Sequence, residues 1–111
     1  MSSVFQKVAK RKAYPVEIDG ETMHVSEPTF GKIDRFKSLG GEKSTWLALG
    51  LCLVSENGET LFTIEPAETD EQFADRVMTD AQDVTPSVVK ALSDAIMKLI
   101  NPVKQEALEK N

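Results

Sequence analysis

The most regular pattern in the chain lies at residues 14 to 26, where Tyr14, Val16 and Ile18 alternate with Pro15, Glu17 and Asp19, and a second run follows Asp19-Gly20 from Glu21 to Ser26. Strict alternation is the signature of a strand with one buried face. Asp-Gly suits a two-residue type I′ turn, because both positions need positive φ, which Gly accepts freely and Asp tolerates. With Asp19 and Gly20 as the loop, Ile18 faces Glu21, Val16 faces Met23 and Tyr14 faces Val25. The apolar residues of both strands then share one side, so pattern and turn agree on the register. A lone hairpin is marginal in water, so this face predicts a cover of helices from the rest of the chain.

Those helices follow in order. Residues 28 to 39 space Phe30, Ile33, Phe36 or Lys37, and Leu39 as one helical face, with Lys32, Asp34 and Arg35 outside and Pro28 placed for the first turn. Gly40-Gly41 stops that helix, and Ser44 or Thr45 caps the next, whose body is the apolar run Trp46 to Val54 and which is expected to be the most buried element. Ser55 to Glu59 contains Asn57-Gly58, which fits either a helix C-terminal cap or a hairpin turn joining Leu51–Val54 to Leu61–Ile64. The preceding run lacks period-two alternation, which favours the cap and leaves Leu61 to Ile64 as a short extended piece at the edge of the hairpin. After Pro66 an acidic segment, 68 to 83, carries Phe73, Ala74, Val77 and Met78 as a stripe on a polar helix. Thr85-Pro86 marks the start of the last helix, with Val88, Leu92, Ala95, Ile96 and Leu99 on one face and Asn101-Pro102 as its stop. The expected fold class is α+β: mostly helical, an N-terminal β-hairpin packed on about four helices.

The chain has 111 residues, 41% hydrophobic and 28% charged, which gives room for one core. The expected organisation is a basic N-terminal segment 1–13, one domain 14–101 and a C-terminal tail 102–111, the tail being too short for a stable isolated helix. Cys52 is the single cysteine, so no internal disulfide is available and a reducing compartment fits. The N-terminus lacks the apolar run of a signal peptide, and Trp46 to Val54 is nine residues where a membrane span needs about 20. Charge is polarised along the chain: Lys7, Lys10, Arg11 and Lys12 put +4 in the first sixteen residues, whereas residues 56 to 83 hold nine acids against Arg76 alone. An acidic body argues against binding nucleic acid, whose phosphates are met by Lys and Arg.

Candidate chemistry is sparse. Gly40-Gly41-Glu42-Lys43-Ser44-Thr45 looks like a phosphate loop, but Glu42 stands where the glycine before lysine belongs, and the segment follows a helix instead of a strand. His24, the only histidine, faces away from the apolar side of the hairpin opposite Pro15 and has no nucleophile and orienting group specified beside it. Asp70/Glu71 and Asp80/Asp83 are carboxylate pairs on exposed helix, without the split environments that acid and base catalysis needs. No stretch has the calcium-loop spacing, and Cys52 lies in the most apolar segment with no basic neighbour, where a thiol fills core. The expectation is therefore no enzyme and no cofactor: an acidic protein-binding module.

The order of features adds a resemblance. The hairpin PVEIDGETMHVSEPT entering a helix, the apolar WLALGLCLV, then ENGETLFT, an acidic segment, and the closing VVKALSDAIMKLIN resemble the small tail assembly chaperones of long-tailed, siphophage-type phages and prophages. The similarity spans residues 14 to 101; its strongest pieces are the hairpin-to-Pro-Thr junction and the N-G-x-x-L-F-T stretch. It implies a non-enzymatic role in the host cytoplasm: binding the tape measure protein, keeping it soluble and helping to recruit tail-tube subunits, without remaining in the mature virion. Families of this kind often also make a longer frameshifted product. Self-association stays open, and no nucleic-acid or membrane partner is implied.

A tape measure exposes long apolar helical stripes before assembly, and an apolar groove rimmed by charge can cover them reversibly. The candidate surface is the 68 to 83 segment with the last helix: Glu68, Asp70, Glu71 and Asp75 as the acidic rim, Phe73, Val77 and Met78 as the apolar stripe. The bland alternative is that Phe73, Val77 and Met78 complete the core. Competing functions are a structural minor tail or head–tail joining protein, an acidic protein-binding inhibitor that mimics nucleic acid, and a small enzyme with a scattered site.

Overall fold

A computed structural model describes residues 13–100. The expected basic segment up to residue 12, the Asn101-Pro102 stop and the 102–111 tail lie outside the described residues. Strands β1 (Tyr14–Ile18) and β2 (Glu21–Val25) lead to helices α1 (Phe30–Leu39) and α2 (Gly41–Cys52), a two-residue strand β3 (Leu53–Val54), and helices α3 (Asp70–Asp80) and α4 (Pro86–Ile100). The sheet is antiparallel in the order β1-β2-β3, and the fold is α+β.

The hairpin has the register the alternation requires: Tyr14 with Val25, Val16 with Met23, Ile18 with Glu21. Asp19 and Gly20 both sit at positive φ, 51° and 83°, as a type I′ turn demands. Val25 is fully buried, and Tyr14, Val16, Ile18 and Met23 pack against the same core. His24 pairs with Pro15 on one side and Val54 on the other, so it is half-buried instead of open to solvent.

Three boundaries differ from the sequence expectation. Pro28 is buried ahead of α1 and is not in its first turn; Thr29 is the N-cap, its hydroxyl accepting from the Lys32 amide. Neither Ser44 nor Thr45 caps α2, which already begins at Gly41. Gly40, at φ 67°, donates its amide to the Phe36 carbonyl to close α1 and accepts from Ser44 to open α2, and with Gly41 at φ 58° two consecutive positive-φ glycines join the two helices.

The third difference is the end of α2. The apolar run does not stay helical to Val54: Leu53 turns to extended backbone, and Leu53–Val54 pair with Val25 and His24. The favoured helix cap at Asn57-Gly58 gives way to a tight turn that realises only part of the hairpin alternative: Leu51 and Cys52 stay helical, the Leu61 amide donates to the Leu53 carbonyl, and residues 61–64 form no strand. Ser55 accepts from Gly58 at its carbonyl and from Asn57 and Glu59 at its hydroxyl, its amide donates to the Glu59 carbonyl, and Val54 bridges Thr60. The free hydrogen-bonding edge of β2 decides the matter, since a strand placed there pairs backbone groups that a longer helix would leave open. Ser26 extends the junction, its amide donating to the Cys52 carbonyl at 2.8 Å.

The core is centred on α2, as expected, with Leu47, Leu49, Gly50, Leu51 and Cys52 buried. Phe73, Ala74 and Val77 from α3 and Leu92 and Ile96 from α4 close over it. At Gly50 the two helices α2 and α3 are so near that a methyl group would lie 2.6 Å from the Phe73 ring and 2.7 Å from a Val77 methyl. Gly50→Ala is expected to destabilise the fold by about 1–3 kcal/mol through overpacking, reversing the gain of up to about 1 kcal/mol that alanine brings to an open helix. Thermal or urea unfolding followed by circular dichroism measures it, and a variant as stable as the parent would contradict the close approach.

Candidate functional site

The acidic helix α3 begins with a capping box: the Thr69 hydroxyl accepts from the Gln72 amide and the Gln72 side chain accepts from the Thr69 amide. Asp70 and Glu71 then fall in its first turn, where the helix dipole favours negative charge. The acids do not form a free rim. Arg35 of α1 holds Asp70 through two hydrogen bonds, one of them 3.1 Å from Nε. Lys43 of α2 pairs with Glu71 and lies 3.6 Å from Asp75.

Glu68 is engaged more completely. Arg76 donates to both its carboxylate oxygens, at 2.8 and 2.9 Å, and to the Thr63 carbonyl, while its guanidinium sits 5.2 Å from the centre of the Phe73 ring. Phe62 meets the same ring edge-on at 6.4 Å. Arg76 thus fastens the 61–68 loop onto α3 and keeps Phe62 over the core. The Arg76 guanidinium pulls the Glu68 carboxyl down from 4.5 to about 2, and Arg35 and Lys43 lower Asp70 and Glu71 in the same way. Surface ion pairs of this kind contribute about 0–1 kcal/mol each, so their main effect is to fix position and cancel charge.

The apolar stripe is also consumed. Phe73 and Val77 are 0% and 2% exposed and belong to the core, so neither can meet a partner. Of the seven residues the sequence offered as a surface, only Met78, which is half-buried, lines an opening. That opening is a groove of about 470 Å³ between the N-terminal half of α2, the C-terminal end of α3 and the first turns of α4.

Trp46, Met78, Val84, Pro86 and Val89 give the groove apolar walls, with Glu42, Gln82 and the Lys90–Asp94 ion pair among its polar lining. It is open because of the α3–α4 connection. The Ala81 amide donates to the Val77 and Met78 carbonyls, Gln82 to Thr79, and Val84 to Ala81, a tight turn that leaves Val84 42% exposed. One turn beyond Ser93 on the same face of α4, Met97 is 48% exposed and continues the apolar line. Trp46 supplies the one buried side-chain donor left over: among the described residues its indole N–H is closed off from solvent and meets no acceptor. Buried N–H groups are nearly always paired, and an orphan costs about 1–3 kcal/mol.

Sequence reasoning assigned Trp46 to the core helix and missed the groove. The available signal was a large aromatic with a polar N–H at the head of an otherwise aliphatic run, a residue type suited to a half-wet position. Among the described residues no group of three or more His, Cys, Asp or Glu is placed to hold a metal ion, and no helix is long and apolar enough to cross a membrane. Cys52 is buried with its thiol inside the core. Comparison with protein-family models, curated proteins and solved structures returns no match.

The Glu68–Arg76 contact predicts a specific acid response. Because the folded carboxyl titrates near 2 and the unfolded one near 4.5, its stabilisation is full above pH 4.5 and is lost as pH falls toward 2. Glu68→Gln is expected to flatten stability across that window and to leave the shape of the profile above it unchanged. Urea midpoints measured against pH provide the check; a variant with the parent's acid slope would contradict the assignment.

Proposed function

We propose that this chain is a tail assembly chaperone of a long-tailed phage or prophage: a non-enzymatic protein that binds the tape measure protein in the host cytoplasm, keeps it soluble, helps recruit tail-tube subunits and leaves before the virion is complete. The observation that carries the reading is the open apolar groove between α2, α3 and α4. An amphipathic helix placed there would set residues spaced i, i+3 or i+4 and i+7 against Trp46, Met78 and Val89, the usual mode of helix-in-groove recognition. Trp46 suits such a contact through its large, half-buried apolar ring. A long tape measure helix would offer many such stripes, so several copies would bind each chain.

The resemblance of the feature order over residues 14 to 101 supports the partner class. The pairing of Glu68, Asp70, Glu71 and Asp75 with Arg76, Arg35 and Lys43 weighs against the nucleic-acid-mimicking inhibitor, because a mimic needs its negative charges unmatched.

Co-expression with the long helical tape measure protein of the same phage or prophage, followed by size-exclusion chromatography with light scattering, tests the proposal. A soluble complex with several copies of this chain per tape measure is expected. Met78→Asp, at a half-buried groove position, is expected to weaken the complex about tenfold or more, roughly 1.4 kcal/mol or above, while thermal unfolding of the free chain stays cooperative. An insoluble tape measure with this chain eluting alone would overturn the reading.

A further inference from the structure

The face that α4 turns to the groove continues past it. Pro86, Val89, Lys90, Ser93 and Asp94 line the opening, and the exposed Met97 lies on the same face one turn further on. Pro86, Val89, Ser93 and Met97 form a narrow stripe of apolar and small residues at helical spacing, of the kind that packs on another helix. Lys90 and Asp94 run beside that stripe as an exposed pair at 2.8 Å. Their order is the poorer one for a pair within one helix, since the acid is favoured on the N-terminal side. The helix also stands apart in charge. Residues 13–100 hold sixteen acids against seven basic side chains, whereas Pro86–Ile100 hold Lys90 and Lys98 against Asp94 alone. Two copies of so acidic a molecule repel least where they meet at α4.

We propose that a second copy of this chain closes the groove, α4 packing antiparallel on α4 about a two-fold axis. The charges set the register. With Lys90 beside the partner's Asp94, and Asp94 beside the partner's Lys90, the axis crosses α4 level with Leu92, midway between the two positions. In an antiparallel pair the same flank of each helix meets its counterpart, so both ion pairs form on one side of the seam. Met97 then comes level with the partner's Ser87, at the mouth of a groove walled by the partner's Val84 and the partner's Pro86. Ser93, next to the axis, is small enough to let the helices approach. Each copy thus sets an apolar side chain at the other's groove, and because the contact is isologous the assembly stops at two.

A tape measure helix and a second copy then compete for one surface. Mass action favours the dimer as the chain accumulates, and the apparent affinity for a partner helix falls by the fraction of chains already paired. The dimer therefore keeps the groove covered until a helix with a longer apolar face displaces the second copy. The competition rests on the tape measure reading; the dimer itself does not.

Light scattering and sedimentation velocity of the full chain over a concentration series test the proposal. The parent is expected to be a dimer that dissociates on dilution, with emission from Trp46, the only tryptophan, moving to longer wavelength as the groove opens. Lys90→Glu and Asp94→Lys each set like charges against one another across the axis and are expected to raise the dissociation constant about tenfold or more. Mixed in equal amounts, the two variants are expected to recover the parent's dimer, because every facing pair is again of opposite sign. Both positions are exposed, and circular dichroism verifies that each variant is folded. A parent that stays monomeric, a dimer indifferent to both substitutions, or a mixture that stays monomeric would each overturn the proposal. No tape measure is present in these measurements, so a monomeric parent leaves the chaperone reading standing, and an insoluble tape measure on co-expression leaves the dimer standing.

Discussion

The close approach of α2 and α3 at Gly50 is the constraint on which the remaining architecture turns. A glycine inside a helix costs up to about 1 kcal/mol relative to alanine, and here the missing side chain admits the Phe73 ring and a Val77 methyl. Once α3 is that near, its polar face comes within reach of Arg35 on α1 and Lys43 on α2, and its first-turn acids are neutralised by cations distant in sequence. Trp46, one turn before Gly50 on the same face, comes beside the C-terminal end of α3, where the chain must turn to start α4. The groove lies one turn along α2 from this contact, where the chain leaves α3 and turns into α4.

The hairpin was fully legible because two independent signals, alternation and the Asp-Gly turn, specify one register. The switch at Cys52–Leu53 was not. A run such as Trp46 to Val54, apolar on every side, reads alike as a buried helix and as a buried strand, since periodicity vanishes when all faces are covered. What separates the two here is the unpaired edge of β2, twenty-eight positions earlier at Val25 when counted from Leu53, and no local propensity carries that information. The Gly40 junction escaped for a related reason: Ser44 and Thr45 are good caps in isolation, but the positive-φ pair Gly40-Gly41 lets the chain turn straight into α2 before either is reached.

The site shows where amphipathic analysis stops. The stripe Phe73, Val77 and Met78 was correctly seen as one face, yet a moment has no memory of what it faces, and two of the three residues are inside. The acids looked like a rim because their partners, Arg35 and Lys43, lie on other elements. The groove itself is assembled from three helices and a turn, each contributing one or two unremarkable residues, so no single window of sequence contains it.

The packing of the last helix onto the first strand has a consequence for how the molecule is made. Because α4 contacts both β1 and β2, the apolar face of the hairpin, formed within the first 25 residues, gains this cover only after residue 100 has been synthesised. Until then a nascent chain exposes one side of its sheet at the ribosome, and partial products ending near Asp80 carry an unfinished core. Folding is thereby tied to translation of the far end of α4, and a truncated message would yield a chain open to aggregation and proteolysis in place of a weaker version of the same protein.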